Sequence, residues 1–134
     1  MNEFLWSVRV YYEDTDAGGV VYYANYLKFM ERARTEWLRD LGFEQDVLMR
    51  DQGLIFAVRS VQIDYLKPAR FNELLNVTAS IAKRGNVSLT VAQSVRRSGD
   101  VLCTASVKLA SLDAKSLRPR ALPADMLGII NQVE

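Results

Sequence analysis

The feature that most constrains the fold is a change of hydrophobic period along the chain, from a helical period before Gly53 to a period of two after it. Between Tyr26 and Leu41 apolar residues recur on one wide face, which is typical of a deeply packed amphipathic helix. That face consists of Tyr26, Phe29, Met30, Ala33, Trp37 and Leu41, widened by Leu27 and Leu38. Asn25 is the predicted N-cap and Gly42 the predicted stop. Charged residues predicted to pair on the solvated side are Arg32 with Glu36, Glu31 with Arg34, and Glu36 with Arg39.

Alternating apolar and polar residues after Gly53 predict strands that each bury one face. The apolar runs are Val61, Ile63, Tyr65; Leu75, Val77, Ala79, Ile81; Val87, Leu89, Val91; and Cys103, Ala105, Val107, Leu109. Short connections with turn residues favour antiparallel neighbours, and Phe4 to Tyr12 is the predicted first strand. One long helix against a curved antiparallel sheet of about five strands buries both patterns. We therefore expect an α+β fold, with residues 1–134 forming a single domain.

Charge and composition exclude several classes of protein. Seventeen Lys and Arg against 16 Asp and Glu leave a net charge of +1, so no overall field directs the chain to nucleic acid or an acidic membrane. Met1 to Val10 lacks the basic start and apolar core of a signal peptide, and no apolar run is long enough to span a bilayer. We therefore expect a cytoplasmic protein without a nucleic-acid partner or an integral membrane segment. The single cysteine, Cys103, is predicted to be a buried apolar residue.

The chain contains no histidine, which excludes a Ser-His-Asp triad, a Cys-His pair and a histidine-ligated metal site. It also lacks a Gly-x-Ser-x-Gly elbow, a Walker loop and a Gly-x-Gly-x-x-Gly fingerprint. A thiol with a pKa of about 8.5 leaves readily as a thiolate, so a thioester can be cleaved without an imidazole acid. Such cleavage still needs a carboxylate to attack or to activate water, and a dipole for the developing oxyanion.

The segment from Tyr11 to Tyr26 can supply both groups. It contains three carboxylates and two glycines, and Asp16 lies in its turn, just before the helix that is expected to begin near Ala24. Because the first N–H groups of a helix lack internal partners, they form a ready oxyanion site. We therefore hypothesise that Asp16 is the catalytic carboxylate and that the Tyr23 backbone N–H polarises the thioester carbonyl.

Simpler interpretations exist for the same segment. Aspartates and glycines between a strand and a helix are commonly turn or capping residues. Glu13 and Asp14 are expected to shape the turn or to position Asp16. A calcium loop is excluded because Asn25 stands where an EF-hand needs its bidentate glutamate, so we predict no metal site.

The run from Tyr11 to Tyr22, followed by Ala24-Asn25-Tyr26 and Glu31-Arg32-Ala33-Arg34, closely resembles the YbgC-type acyl-CoA thioesterases of the hotdog fold. Matching stretches continue through Asp64-Tyr65, Pro68-Ala69-Arg70, Arg84-Gly85, Ser88-Leu89 and Arg118 to Pro123. The resemblance, which extends to the 4-hydroxybenzoyl-CoA thioesterase-like members, implies a hotdog thioesterase that is at least dimeric and often tetrameric. It implies hydrolysis of acyl-CoA or related thioesters without metal or other cofactor.

The resemblance also implies roles for residues. Asp16 occupies the position of the family's catalytic aspartate, whereas Tyr23 stands where many YbgC-type members carry histidine. Relatives that act on aromatic acyl-CoA can carry an aromatic residue there, which is understandable if the backbone amide acts. The predicted substrate-binding residues include Tyr12, Gly18, Tyr22 and Tyr26, and the tyrosines near the helix start can line an acyl pocket. Basic residues predicted to hold the CoA phosphates are Arg59, Lys83 and Arg84. Lys67 and Arg70 are further candidates, and Tyr22, Tyr26 and Trp37 can also be read as core aromatics.

The expected partners are acyl-CoA, acyl carrier protein as another thioester carrier, and further copies of the chain in a homodimer or homotetramer. Exposed sheet edges favour such assembly. Hotdog dehydratases are excluded because they use a histidine. The alternative from another class is a non-catalytic thioester-binding or scaffolding module linked to lipid metabolism or to the Tol-Pal envelope system.

Overall fold

A computed structural model describes residues 3–133. Residues 1, 2 and 134, at the ends of the predicted 1–134 domain, lie outside the described residues. The elements in chain order are β1 (Phe4–Arg9), a 3₁₀ turn (Tyr12–Asp14), α1 (Asn25–Asp40), α2 (Gln45–Gln52), β2 (Leu54–Tyr65), β3 (Leu74–Arg84), β4 (Ser88–Arg97), β5 (Asp100–Asp113) and α3 (Ala124–Val133). The predicted α+β class is confirmed, with two more helices than expected.

The five strands form one antiparallel sheet in the order β1-β3-β4-β5-β2. Consecutive strands β3, β4 and β5 are neighbours, whereas β1 and β2, which flank the first two helices in the sequence, form the two edges. The predicted alternation appears in the register, where Val91 of β4 lies opposite Val107 of β5. Long helix α1 packs across the sheet, mainly on β3, so the chain buries both apolar patterns together.

The apolar face of α1 divides the core into two clusters. Its first half, with Phe29 and Met30 fully buried, packs on a cluster that includes Leu75, Val95 and Cys103. Its second half packs on a cluster that contains residues of β3, β4, β5, α2 and α3; these include Trp37, Leu48, Ile81, Leu89, Val107, Met126 and Ile130. The first cluster borders the segment that carries Asp16, so the core holds the start of α1 in place. The predicted burial of Cys103 is confirmed.

The ends of the predicted elements need correction. Strand β1 stops at Arg9, because the chain turns into the 3₁₀ segment instead of continuing to Tyr12. Helix α1 begins at Asn25, and Ala24 is its N-cap. The Asn25 side chain is therefore not a cap; its Nδ2 donates to Asp14 Oδ1 instead. The predicted stop at Gly42 is confirmed by its φ of +99°, a conformation that favours glycine.

The predicted position of Arg34 on the solvated side of α1 is wrong. Its side chain is only 7% exposed, and Nη1 donates to Gln93 Oε1 of β4 at 2.9 Å. Arg34 therefore turns from the helix surface towards the sheet. The predicted pair of Glu36 and Arg39 does form, at 3.2 Å.

Helices α2 and α3 were not predicted from the sequence. Helix α2 buries Leu48 and ends at Gly53, whose φ is +64°. Helix α3 buries Met126 and Ile130 against the second cluster. No helix within residues 3–133 combines the length and the apolar character needed to cross a membrane.

Strand β2 is less buried than its alternation predicts. Val61 and Tyr65 remain 37% and 44% exposed, because β2 is an edge strand and its contacts with α1 are few compared with those of β3. Its register with β5 also shifts between Val58 and Ser60.

Candidate active site

Asp16 lies at the exposed end of a tight turn just before α1. Thr15 and Val21 pair across the base of this turn. The Asp16 N–H donates to Val20 O at 2.9 Å, and the Gly19 N–H donates to Asp16 O at 3.0 Å. Gly19 has a φ of +81°, which a residue with a side chain adopts at a cost. The glycine-containing turn therefore holds the Asp16 backbone in a defined position.

The carboxylate of Asp16 is oriented by the same turn. Its Oδ1 accepts the Gly18 N–H at 2.9 Å. Within residues 3–133, Oδ2 has no hydrogen-bond partner and remains available to a substrate or water. A Cβ on Gly18 would lie 3.2 Å from Asp16 Oδ1, so a side chain there would crowd the carboxylate. Gly18 thus positions Asp16 through its backbone N–H. Contact between Gly18 and the substrate remains a prediction.

Asp14 connects the turn to the elements on both sides. It is 8% exposed; Oδ2 accepts the Tyr11 N–H at 2.8 Å and Oδ1 accepts Asn25 Nδ2 at 3.0 Å. Its carbonyl oxygen accepts the Tyr22 N–H at 2.9 Å. These bonds place Asp14 in a structural role, as the sequence favours, and Glu13 is exposed.

The chain just before α1 provides the expected free amide. The Asn25 N–H donates to Tyr22 O at 2.8 Å and the Leu27 N–H to Ala24 O at 3.1 Å. The Tyr23 N–H makes no hydrogen bond within the part of the chain that the structure describes. Because it lies at the positive end of the helix dipole, this amide is suited to an oxyanion.

Tyrosines surround a cavity beside this amide. The cavity has a volume of about 250 Å³ and is lined by Val21, Tyr23, Tyr26, Tyr65, Leu66, Lys67 and Pro68. The Tyr65 hydroxyl donates to Tyr23 O at 3.0 Å, and the Tyr26 hydroxyl accepts the Ala69 N–H at 3.1 Å. The Tyr65 ring lies edge-on to Tyr23 and Tyr26, at centroid distances of 6.2 and 5.4 Å. The walls are therefore aromatic and fixed by hydrogen bonds.

The predicted tyrosines do not all belong to this cavity. Tyr26 and Trp37 are 3% and 4% exposed, which confirms them as core aromatics. Tyr22 is 44% exposed and is therefore not a core residue. The Tyr22 ring contacts the Tyr23 ring in a tilted arrangement, with centroids 4.9 Å apart. Hydrogen bonding to Tyr23 is the main cause that raises the Tyr22 pKa. The Asp16 carboxylate raises the same pKa further, so Tyr22 lies within electrostatic reach of Asp16. Tyr12 instead contacts Phe71 on another surface, at a centroid distance of 5.8 Å.

The basic residues predicted for CoA lie away from the turn. Lys83 and Arg84 are at the end of β3 opposite to Leu74, about 30 Å along the strand. Arg59 is exposed on β2 at the register shift. Within one chain the structure brings none of them to Asp16, and their contact with CoA remains a prediction.

Two other cations lie beside the turn. Val20 pairs with Arg70, the Val21 N–H donates to Ala69 O at 2.9 Å, and Lys67 lines the tyrosine cavity. Lys67 and Arg70 are among the further candidates for CoA contact, whereas Tyr65, on the same wall as Lys67, is not among the predicted site residues. The sequence marks this group by its position around Pro68 and by the family resemblance at Asp64-Tyr65 and Pro68-Ala69-Arg70. Its approach to the turn depends on long-range pairing. No cluster of three or more Cys, Asp or Glu side chains within residues 3–133 is placed to hold a metal ion.

Comparison with known proteins identifies the family of this chain. Residues 18–104 match the sequence model of the thioesterase superfamily. The acyl-CoA thioesterase YbgC of Haemophilus influenzae is 44% identical over 125 residues, which cover 93% of this chain and 92% of that protein. The acyl-CoA thioester hydrolase YbgC of Escherichia coli O157:H7 is 42% identical over 130 residues, which cover 96% of each chain.

A solved structure, a probable thioesterase from Bartonella henselae, superimposes with a TM-score of 0.88 at 36% identity and covers 91% of this chain and 100% of that one. The predicted hotdog fold is therefore confirmed. The chain belongs to the thioesterase superfamily and, within it, to the YbgC-type acyl-CoA thioesterases.

Proposed function

We propose that this thioesterase hydrolyses acyl-CoA with Asp16 as its catalytic carboxylate and the Tyr23 N–H as its oxyanion donor. One observation supports this most strongly: an exposed carboxylate with a free oxygen stands in the turn that leads to an unpaired helix-start amide. A carboxylate and a fixed dipole are the two groups that thioester cleavage needs when no imidazole is present.

In the simplest route, Asp16 takes a proton from water while the water oxygen bonds to the thioester carbon. The carbonyl oxygen gains negative charge, which the Tyr23 N–H stabilises. The C–S bond then breaks as the carbonyl reforms, so CoA leaves as a thiolate that collects the proton. In the alternative route an Asp16 oxygen attacks the carbon, and the C–S bond breaks with loss of the CoA thiolate, which leaves an anhydride. Water then opens the anhydride, which restores the Asp16 carboxylate and supplies the proton for the thiolate. Both routes yield the free acid and CoA.

Thiol release from a panel of straight-chain and aromatic acyl-CoAs tests this activity. We expect release well above the spontaneous rate for at least one class, and background release throughout would contradict the proposal. Single turnover in ¹⁸O-labelled water separates the routes, because label enters the Asp16 carboxylate only if an anhydride forms. Acyl carrier protein presents the same thioester, so acyl carrier protein substrates belong in the panel. A cytoplasmic location is part of the same proposal.

A second copy of the chain is also part of the proposed function. Strand β2 is an edge with exposed apolar residues Val58 and Val61, and such an edge pairs readily with another strand. We expect a homodimer or homotetramer, and a charge introduced by Val61→Lys should shift light-scattering mass towards the monomer. A native protein of monomer mass at micromolar concentration would contradict this.

The proposed oligomer also allows a test of the predicted CoA contacts. If Lys83 and Arg84 contact CoA, another subunit must carry them, because they lie far from the turn in their own chain. Lys83→Gln should then raise KM for acyl-CoA but not for the acyl thioester of N-acetylcysteamine, which lacks phosphates. A KM unchanged by Lys83→Gln but raised by Arg70→Gln would assign the phosphates to the cations beside the turn instead.

A further inference from the structure

One loop forms a wall of the tyrosine cavity and also holds the turn that carries Asp16. This loop, residues 66–73, connects β2 to β3. Its members that line the cavity are Leu66, Lys67 and Pro68. The Val21 N–H at the base of the turn donates to Ala69 O at 2.9 Å. The position of the turn therefore depends on the backbone of the loop.

Arg97, the last residue of β4, ties this loop to the sheet. Its Nη1 donates to Pro68 O at 3.2 Å. The same nitrogen donates to Glu73 Oε1 at 3.0 Å and to Glu73 Oε2 at 3.2 Å. Glu73 Oε1 also accepts the Arg70 N–H at 2.7 Å. Arg97 and Glu73 together therefore hold Pro68 and Arg70, the two neighbours of Ala69 in the chain.

The pair of Arg97 and Glu73 is the least exposed ion pair within residues 3–133. Its side chains are 29% and 27% exposed, and every other pair there has at least one more exposed partner. Salt screens partly buried charges less than surface charges, and hydrogen bonds between charged groups are stronger than neutral ones. The pair therefore holds the loop more firmly than neutral hydrogen bonds alone would.

The same ion pair lies within electrostatic reach of the cavity wall. The Tyr26 hydroxyl accepts the Ala69 N–H at 3.1 Å. Burial is the main cause that raises the Tyr26 pKa, and among the smaller causes Arg97 lowers it and Glu73 raises it. Ala69 is thus held by the turn through its oxygen, by Tyr26 through its N–H, and by the ion pair through both neighbours.

We propose that Arg97 and Glu73 are positioning residues for the thioesterase reaction, because they fix Ala69 and thereby the turn that presents Asp16. Neither side chain lines the tyrosine cavity, so both act through the loop and not on the substrate. The proposal rests on the proposed catalytic role of Asp16. A purely structural ion pair would stabilise the whole fold, whereas a positioning pair stabilises this turn more than the rest of the chain.

Amide hydrogen exchange of the native protein and of Arg97→Gln tests the positioning without any substrate. Glutamine keeps a polar side chain but carries no charge. We expect the Val21 N–H to exchange about tenfold faster in Arg97→Gln, as loss of a charge-assisted hydrogen bond predicts. The Phe29 and Ala33 amides of buried helix α1 should accelerate much less. A general loss of stability would instead accelerate all these amides by the same factor.

Turnover shows whether the position of the turn matters to the reaction. The kcat of Arg97→Gln on acyl-CoA should fall about tenfold, because a misplaced carboxylate reacts more slowly. Arg97→Lys keeps the charge and should recover much of the native kcat and the native Val21 exchange. Glu73→Gln should resemble Arg97→Gln. The double variant should be about as slow as the slower single variant, since all three lack the same ion pair.

Arg96→Gln is the matched control. Arg96 precedes Arg97 on β4 and forms a similar pair with Glu3, through two hydrogen bonds of 3.1 Å. Within residues 3–133 its side-chain hydrogen bonds go to Glu3 and not to the 66–73 loop. Arg96→Gln should therefore keep the native kcat and the native Val21 exchange.

Three results would overturn the proposal. They are equal acceleration of the Val21 and α1 amides in Arg97→Gln, fast Val21 exchange with native kcat, and low kcat with native Val21 exchange. If Arg97→Gln does not fold, Glu73→Gln carries the same tests, since glutamine keeps an acceptor for the Arg70 N–H. Exchange needs no substrate, so a failure of the proposed Asp16 chemistry, read from Asp16→Asn, stays distinct from a failure of the ion pair.

Discussion

At the scale of single residues, the main question is which part of Tyr23 acts. Its ring lines the cavity, but the proposed chemistry uses only its backbone N–H. Residues 22–25 form a turn that is closed by the hydrogen bond from the Asn25 N–H to Tyr22 O. Tyr23 occupies the second position of this turn, which accepts proline well. A proline there would remove the N–H while the turn persists.

Two variants separate the ring from the amide. Tyr23→Ala removes the ring and keeps the N–H, whereas Tyr23→Pro removes both. If the amide stabilises the oxyanion, kcat of Tyr23→Pro should fall about 10²- to 10³-fold below that of Tyr23→Ala, as for loss of one oxyanion donor. Circular dichroism checks that both variants fold. Equal kcat values in two folded variants would exclude the amide from the reaction.

Cys103 provides a prediction about pH. Burial is the main cause that raises the pKa of its thiol from 9.0 to about 12, and Asp64 adds to it. Because the folded pKa exceeds the unfolded one, the stability linked to the neutral thiol is fully present below about pH 9 and is lost as the pH rises towards about 12. The urea midpoint of the native protein should therefore fall more steeply across this window than that of Cys103→Ala. Parallel curves would contradict the prediction.

At the scale of elements, the bond between Asn25 and Asp14 joins α1 to the turn that carries Asp16. Asn25→Ala removes a donor from a buried carboxylate, which should lower the free energy of unfolding by about 1–3 kcal/mol. Lys28→Ala, an exposed position on the same helix, should change it by no more than about 0.5 kcal/mol. Urea denaturation measures both values. The prediction fails if the two variants lose equal stability.

The long elements could be predicted because their periodicity is local. Helix α1 shows a wide apolar face, and the apolar residues of β3 alternate over its length, so tertiary contacts only complete these patterns. Helix α2 has a single buried residue, Leu48. One buried residue is not enough to produce a periodic pattern in the sequence. The Asn25 side chain was assigned to the wrong partner because Asp14, though near in sequence, approaches it only once the intervening turn has formed.

At the scale of the whole molecule, strand order decides which predicted site residues meet. Asp16 and Tyr23 were predicted together because they lie in one continuous segment. Arg70 reaches the turn through its pairing with Val20. Lys83 lies far from the turn because it is near the end of β3, and β3 runs away from the turn. Arg34 of α1 likewise makes its hydrogen bond to Gln93 of β4, which is distant in sequence. Such long-range contacts leave no trace in local spacing.

The catalytic role of Asp16 is tested most directly by the turnover of the folded Asp16→Asn protein on the best acyl-CoA of the panel. Asparagine keeps the size and one oxygen of the side chain but cannot take a proton or act as a nucleophile. We predict a fall in kcat of about 10²- to 10⁴-fold, the usual contribution of a general base. Asp40→Asn, at the opposite and exposed end of α1, should retain native turnover. Native turnover by Asp16→Asn would contradict the proposed mechanism.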